Sequence, residues 1–402
     1  MNLNHTALRQ INLPSKLPQV GTTIFTVMSA LAQEHQAINL GQGFPDFSCD
    51  PKLIEAVNQA MLDGHNQYPP MIGVAPLREA ISEKIEILYG KHYDPTSEIT
   101  VTAGGTQGIF TVIASTVRPG DEVIVIEPVY DSYIPAIETV GGKPIQVQLQ
   151  IKHDGLGIRY SIPWNAIKDA ITPRTRMIMI NSPHNPTGMV WESKDLEKLA
   201  DLLRDTDILV CSDEVYEHMV YDGKEHQSAA KHPELSQRSF VISSFGKTYH
   251  ITGWKVGYVA APSHLSQEFR KVHQFNVFTV NTPMQYGLAQ YLKNRDAYLG
   301  LSQFYEAKRN YFRAGLSRTK FKLLDTPGTY FQCVDYTHLN IPESQLSESE
   351  FCQWLTREIG VAAIPVSAFY SQGLESGVIR FCFAKKEQTL QTALERLEKI
   401  NG

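Results

Sequence analysis

The sequence predicts an α/β fold, with a large domain whose mostly parallel sheet is sandwiched by helices and a smaller α+β domain beside it. Three observations predict it. Between residues 75 and 290, short apolar runs alternate with longer stretches of helical periodicity, the pattern of strands that return through helices. Beyond residue 290, single strands stand among long amphipathic helices. In parallel sheets ligands bind beyond the C-terminal ends of the strands, and the residues with chemistry to offer, Gly105, Tyr130, Asn185, Asp213 and Lys247, all follow apolar runs.

The first strand is expected over residues 99–103, followed by a helix over 107–117. The turn Pro119-Gly120-Asp121 then introduces a strand over 122–126. Three more strands are expected over 176–180, 208–211 and 240–243. Leu196, Leu199 and Leu203 repeat at helical spacing and predict a helix between the first and second of them. In the C-terminal part a long helix is expected over 296–316, a strand over 328–335 and another over 378–383. Helices over 351–358 and 388–400 flank the last strand. The first 45 residues are rich in turn formers and are expected to pack on this unit. The boundaries follow: residues 46–290 form the large domain, and 1–45 with 291–402 form the small one.

At 402 residues the chain is long enough for both. It has 37 Lys+Arg against 42 Asp+Glu, a net charge of −5 that gives no basic footprint for nucleic acid. Its five cysteines have no C-x-x-C spacing, so a reducing compartment is expected and neither a disulfide framework nor a metal site is. No charged segment leads into an apolar one at the N-terminus, and no apolar run reaches membrane-spanning length. The expected location is cytoplasmic.

Lys247 follows the apolar run Phe240-Val241-Ile242 and lies among small and hydroxylic residues, with Lys255 downstream. Gly246-Lys247-Thr248 is not a nucleotide-binding P-loop, because Val241 stands where that loop needs a glycine. A lysine so placed can form an imine with an aldehyde, while a nearby hydroxyl and cation suit a phosphate; pyridoxal phosphate carries both groups. Taken alone, the same tripeptide also reads as a surface turn.

Other motifs supply partners for such a cofactor. Asp213 ends the run Ile208-Leu209-Val210-Cys211-Ser212. It reads either as the partner of a protonated ring nitrogen or as a helix cap. Asn185, in Asn181-Ser182-Pro183-His184-Asn185-Pro186-Thr187-Gly188, and Tyr216 suit a phenolate oxygen, unless the first is a plain turn residue. Gly105 and Thr106 stand between a strand and a helix, where free N–H groups suit a phosphate, with Ser244 and Lys255 to complete the cradle. Tyr130 would stack on a ring or belong to the core. Arg380, in the apolar stretch Val378-Ile379-Arg380-Phe381-Cys382-Phe383, would grip a carboxylate with its planar fork or sit in an internal ion pair.

In this order, from Leu40-Gly41-Gln42-Gly43-Phe44-Pro45-Asp46 to Phe383-Ala384-Lys385-Lys386, these motifs resemble the class I pyridoxal-phosphate aminotransferases of fold type I. Ser244-Phe245-Gly246-Lys247-Thr248-Tyr249-His250 and Ala363-Ile364-Pro365 are similar to the bacterial methionine aminotransferases and the related kynurenine aminotransferase/glutamine transaminase K group. The resemblance implies a ping-pong transfer of an amino group from an L-amino acid to a 2-oxo acid, with a Schiff base on Lys247. Methionine is the favoured donor, and aromatic amino acids, histidine and glutamine are others. It also implies a homodimer with a shared active site, in which Tyr68 reaches the partner's phosphate. Arg380 and Asn185 would hold the substrate carboxylate near the backbone of Gly43, and Phe44, Phe278 and Ile364 would form an apolar side-chain pocket. Lys16 lies near a segment where relatives place a side-chain-reading residue. Many relatives carry arginine at Lys255, where lysine offers a point charge rather than a fork. The same site suits a cysteine-conjugate β-lyase or a kynurenine aminotransferase. A non-catalytic regulator of this fold would carry an added DNA-binding domain, and no such domain is expected ahead of residue 15.

Overall fold

Glu122–Glu127 is buried at all six positions, and so is Ser239–Ser244. Strands buried this completely must be covered on both faces. In the computed structural model, which describes residues 12–154 and 157–401, they are. Seven strands form the main sheet: β1 (Ile99–Thr102), β2 (Glu122–Glu127), β3 (Lys143–Gln148), β4 (Thr175–Asn181), β5 (Leu209–Asp213), β6 (Ser239–Ser244) and β7 (Gly257–Ala260). Their order is β1-β7-β6-β5-β4-β2-β3. Pairs among β2 to β6 are parallel, while β7 runs antiparallel to β6 and β1, so six of the seven strands share one direction.

Successive side chains of a strand point to opposite faces, and two cores result. Val123, Val125, Met177, Met179, Cys211 and Ile242 meet Ile109, Val112 and Ile113 of the helix Gly104–Thr116. The alternate residues Ile124, Ile126, Ile178, Ile180, Val210 and Val241 meet Leu196, Leu199 and Leu203 of the helix Ser193–Leu203. A separate core surrounds a four-stranded sheet of β8 (Lys322–Leu323), β9 (Phe331–Asp335), β10 (Ile364–Pro365) and β11 (Val378–Cys382), in the order β8-β9-β11-β10. Ile38–Asn39 pairs in parallel with Val361–Ala362, which ties the N-terminal segment to this second unit.

Several boundaries differ from expectation. The helix expected over 107–117 begins at Gly104, because glycines weaken a helix signal even where they open one. The helix expected over 296–316 is two, Asp296–Leu299 and Leu301–Leu316, with Gly300 at the break. The strand expected from residue 328 begins at Phe331, because Thr329 turns the chain at φ +62°. β3 and β7 were not expected. β3 is partly exposed, and β7 is four residues long and starts with glycine.

A buried ion pair fastens the sheet to its cover. Lys84 Nζ lies 2.6 Å from Glu217 Oε1, with 3% and 2% of the two side chains exposed. Tyr89 donates to Glu217 Oε2 at 2.5 Å, and Ser243 of β6 also donates to this carboxylate. Burial works against the Glu217 charge, but Lys84 and the donors prevail and hold its carboxyl well below the usual range. Lys84→Ala strands this carboxylate and is expected to cost about 3–5 kcal/mol in denaturant unfolding. Wild-type stability in this variant would contradict the pair's role.

Candidate active site

β4, β5 and β6 lie side by side, and their C-terminal ends deliver polar residues to one place. Asn181 pairs with Asp213 across β4 and β5. Its Nδ2 donates to the Asp213 carbonyl at 2.8 Å, and its Oδ1 accepts the Asn185 N–H at 2.8 Å. One side chain therefore fixes the loop that carries Asn185 against the strand that carries Asp213. β6 runs directly into the short helix Phe245–Thr248, which carries Lys247. These ends open on a cavity of about 310 Å³. The cavity is lined by Gly43, Phe44, Gly105, Thr106, Tyr130, Asn185, Asp213, Tyr216, Ser244, Lys247, Lys255 and Arg380. Of the sequence-predicted residues, then, Lys16, Tyr68, Phe278 and Ile364 lie off its wall.

Lys247 Nζ donates to the Gly43 carbonyl at 3.3 Å and to Tyr330 Oη at 3.1 Å. It also sits 5.5 Å from the centre of the Tyr216 ring. Burial pushes its amine down to about 8, with Arg380 and Lys255 adding to the shift and Asp213 and Cys382 opposing it. Much of it is therefore neutral, and able to take a proton, in mildly alkaline solution.

Burial acts the other way on Asp213 and raises its carboxyl to about 6, against the hydrogen bonds that support its charge. Tyr133 donates to Oδ2 at 2.5 Å and the Val215 N–H to Oδ1 at 3.2 Å. Among the described residues no cation reaches it within ion-pair distance. A buried carboxylate that lacks a cation is costly, and a cation brought in from outside would relieve it.

Arg380 has 1% of its surface exposed. Its Nη1 donates to Asn185 Oδ1 at 2.6 Å and its Nη2 to the Gly41 carbonyl at 3.0 Å, while Nε is buried without a partner. The guanidinium lies 3.8 Å from the centre of the Phe331 ring. Its charge faces no carboxylate at ion-pair distance among the described residues, so the internal ion pair is not what holds it. An incoming carboxylate fits that vacancy of charge.

A second anion site stands at the start of Gly104–Thr116, where Ala103 provides no side-chain cap. The first N–H groups of that helix are left to a ligand. Gly104 has φ +80°, a conformation that favours glycine, and a Cβ there would come within 3.3 Å of Lys255 Nζ. Tyr130 Oη is 3.5 Å from Thr106 Oγ1.

The remaining predicted residues lie elsewhere. Ile364 is buried behind the cavity wall, where a Cβ on Gly41 would approach it to 3.1 Å, so it supports the wall rather than lining it. Phe278, held at φ +67°, packs edge-on against Tyr68 at 5.4 Å and is likewise not on the wall. Tyr68 is 83% exposed. Lys16 is exposed and does not line the cavity. Tyr133, Tyr330, Asn181 and Asp131 were not anticipated. Asp131 and Tyr133 share the turn of Tyr130, and Asn181 opens the motif that carries Asn185, whereas Tyr330 approaches Lys247 only through tertiary packing. Among the described residues no group of three or more His, Cys, Asp or Glu could hold a metal ion.

The site therefore presents a partly neutral amine, a carboxylate in want of a cation, and two separate anion sites. Residues 35–397 match the family model of aminotransferase class I and II. The chain is 49% identical to methionine aminotransferase of Escherichia coli over 96% of this chain and 98% of that one. It is 35% identical to human kynurenine–oxoglutarate transaminase 1 over 92% and 93% of the two chains. A solved Escherichia coli structure, whose reactivity identified a methionine aminotransferase function, superposes with a TM-score of 0.93 at 48% identity, covering 97% of this chain and all of that one.

Proposed function

The chain belongs to the class I and II aminotransferases, and on that premise we propose that it moves the amino group of methionine, or of another L-amino acid with an uncharged side chain, to a 2-oxo acid. Members of this class use pyridoxal phosphate, and the donor set suits it. The lone buried Asp213 would pair with the ring nitrogen, and Asn185 and Tyr216 with the phenolate oxygen. Gly105, Thr106, Ser244 and Lys255 would hold the phosphate, Tyr130 would cover the ring, and Lys247 would take the aldehyde as its imine. When bound, pyridoxal phosphate supplies an electron-poor ring that makes the donor's α-proton acidic.

The chain's own residues do the rest. Arg380 takes the α-carboxylate in its fork, with Asn185 alongside, and this fixes the donor's α-carbon near Lys247. The Lys247 amine, brought down to about 8 by burial, would take the α-proton on Nζ and hold it for return. Phe25, Phe44 and Phe331 line the same cavity and offer an apolar surface to the donor's side chain.

The observation that carries the donor choice is the cation count. Among the described residues the lysines and arginines on the cavity wall are Lys247, Lys255 and Arg380, and each already has a task. None is left for a side-chain carboxylate, whereas Asp131, also on the wall, would repel one. A donor-by-acceptor activity matrix with purified protein tests this. Methionine and aromatic donors are expected to exceed aspartate and glutamate in kcat/KM by at least about tenfold, the effect of one unfavourable charge contact. A preference for dicarboxylic donors would contradict the reading. Kynurenine as the best donor would move it to the neighbouring group, and release of pyruvate and ammonia without any acceptor would make the enzyme a β-lyase.

The exposure of Tyr68 and its contact with Phe278 support a homodimer in which both residues meet the second copy. No described helix is long and apolar enough to cross a membrane, and the five free thiols favour a cytoplasmic enzyme.

A further inference from the structure

We propose that Tyr330 is a positioning residue that holds the Lys247 amine against the backbone of Gly43, and so sets where that amine waits and how readily it gives up its proton. This rests on the reading of Lys247 as the reacting amine.

Three atoms form a closed triangle. Tyr330 Oη donates to the Gly43 carbonyl at 2.5 Å. Lys247 Nζ lies 3.1 Å from the same phenol oxygen and 3.3 Å from the same carbonyl. The phenol has one proton, and the carbonyl takes it. Toward Lys247, both Tyr330 Oη and the Gly43 carbonyl can then act only as acceptors. Two acceptors aimed at one amine favour its protonated form, against the burial that drives it to lose the proton.

The triangle is rigid on two sides. Tyr330 is fully buried, and its ring packs edge-on against Tyr216 at 5.2 Å and Phe331 at 4.9 Å. Gly43 is pressed onto the same aromatic group, since a Cβ there would come within 2.9 Å of the Phe331 ring. The Gly43 segment is held from its other side by Lys385, whose Nζ donates to the Phe44 carbonyl at 2.8 Å.

The test needs neither cofactor nor donor. Lys247 in the full-length, cofactor-free protein is trace-labelled with acetic anhydride across a pH series, and the labelled peptide is quantified by mass spectrometry. The groups facing the amine are Cys382, Arg380, Asp213, Lys255, Tyr216 and Tyr330; all but Tyr330 are kept. Tyr330→Phe retains the ring and removes one acceptor. The labelling midpoint of Lys247 is expected to fall by about one pH unit, the size of one hydrogen bond to a charged group. Below both midpoints Lys247 then acetylates about tenfold faster than in wild type, while the exposed Lys293 labels unchanged. An unmoved or raised midpoint overturns the proposal. Should Tyr330→Phe fail to fold, Gly43→Ala moves the carbonyl away from the amine and is expected to lower the midpoint in the same direction, with the same overturning result. A wild-type protein that transfers no amino group would overturn the function proposed above and leave this titration intact, so the two failures are told apart.

Discussion

Lys247→Ala is expected to abolish amino transfer, with kcat lowered by at least about 10⁴-fold, the upper range for loss of a positioned acid–base group, since the variant loses the covalent attachment as well. Among the described residues, neither neighbouring lysine stands where it could substitute. Lys255 lies beside Gly104 at the helix start, and Lys385 donates to the carbonyls of Gln42 and Phe44. The variant is expected to fold. Burial has already brought the Lys247 amine down to about 8, so its charge is a burden on the folded state rather than a support. Steady-state kinetics together with thermal unfolding separate the two effects. Wild-type kcat in this variant would remove Lys247 from the chemistry.

Asp213→Asn is the second large effect expected. The substitution keeps the shape and the hydrogen bond from the Val215 N–H, and it removes the one negative charge that β5 delivers to the cavity floor. Without that charge the site would hold pyridoxal phosphate with no partner for its ring nitrogen, and the cofactor would supply less acidity to the donor's α-proton. Removing one preorganised electrostatic partner costs about 10²–10³ in kcat, and a loss toward the upper end is expected here because Asp213 has no neighbour able to replace it. In the cofactor-free protein the same change should be nearly neutral or stabilising above pH 6. There the carboxyl, raised to about 6 by burial, is forced to carry its charge in the fold. A raised folded value contributes stability below the unfolded value of 3.8, and that contribution is lost as pH rises through 6. Denaturant unfolding at pH 5 and pH 7.5 reads this sign. A variant less stable than wild type only at the higher pH would contradict it.

The sequence carried the main sheet because its central strands are continuous apolar runs. β4, β5 and β6 are buried nearly throughout and could be placed from composition alone. Their C-terminal residues could then be read as site residues, because a polar group that ends such a run must find a partner. Asp213, Asn185 and Lys247 share that logic. β3 and β7 gave no such signal. One is half exposed at the sheet edge, and the other is four residues long. Residues that complete the site through packing were out of reach for the same reason. Tyr330 approaches Lys247 across 83 positions of sequence, and Tyr133 approaches Asp213 across 80. Both look like core aromatics until the fold brings their hydroxyls to a charge. Phe278 and Ile364 differ in the opposite way, since neither lies on the cavity wall of its own chain. Their apolar character was plain, but apolar character does not say which side of a cavity wall a residue takes.

The central claim is that Lys247 is the amine that holds the cofactor and handles the donor's proton. Borohydride reduction of the protein after incubation with pyridoxal phosphate, followed by peptide mass mapping, tests it most directly. A single pyridoxyl adduct on Lys247, lost when excess methionine is added before the reduction, is the expected result. An adduct on another lysine, or one on Lys247 that methionine leaves in place in an enzyme active on methionine, would contradict it.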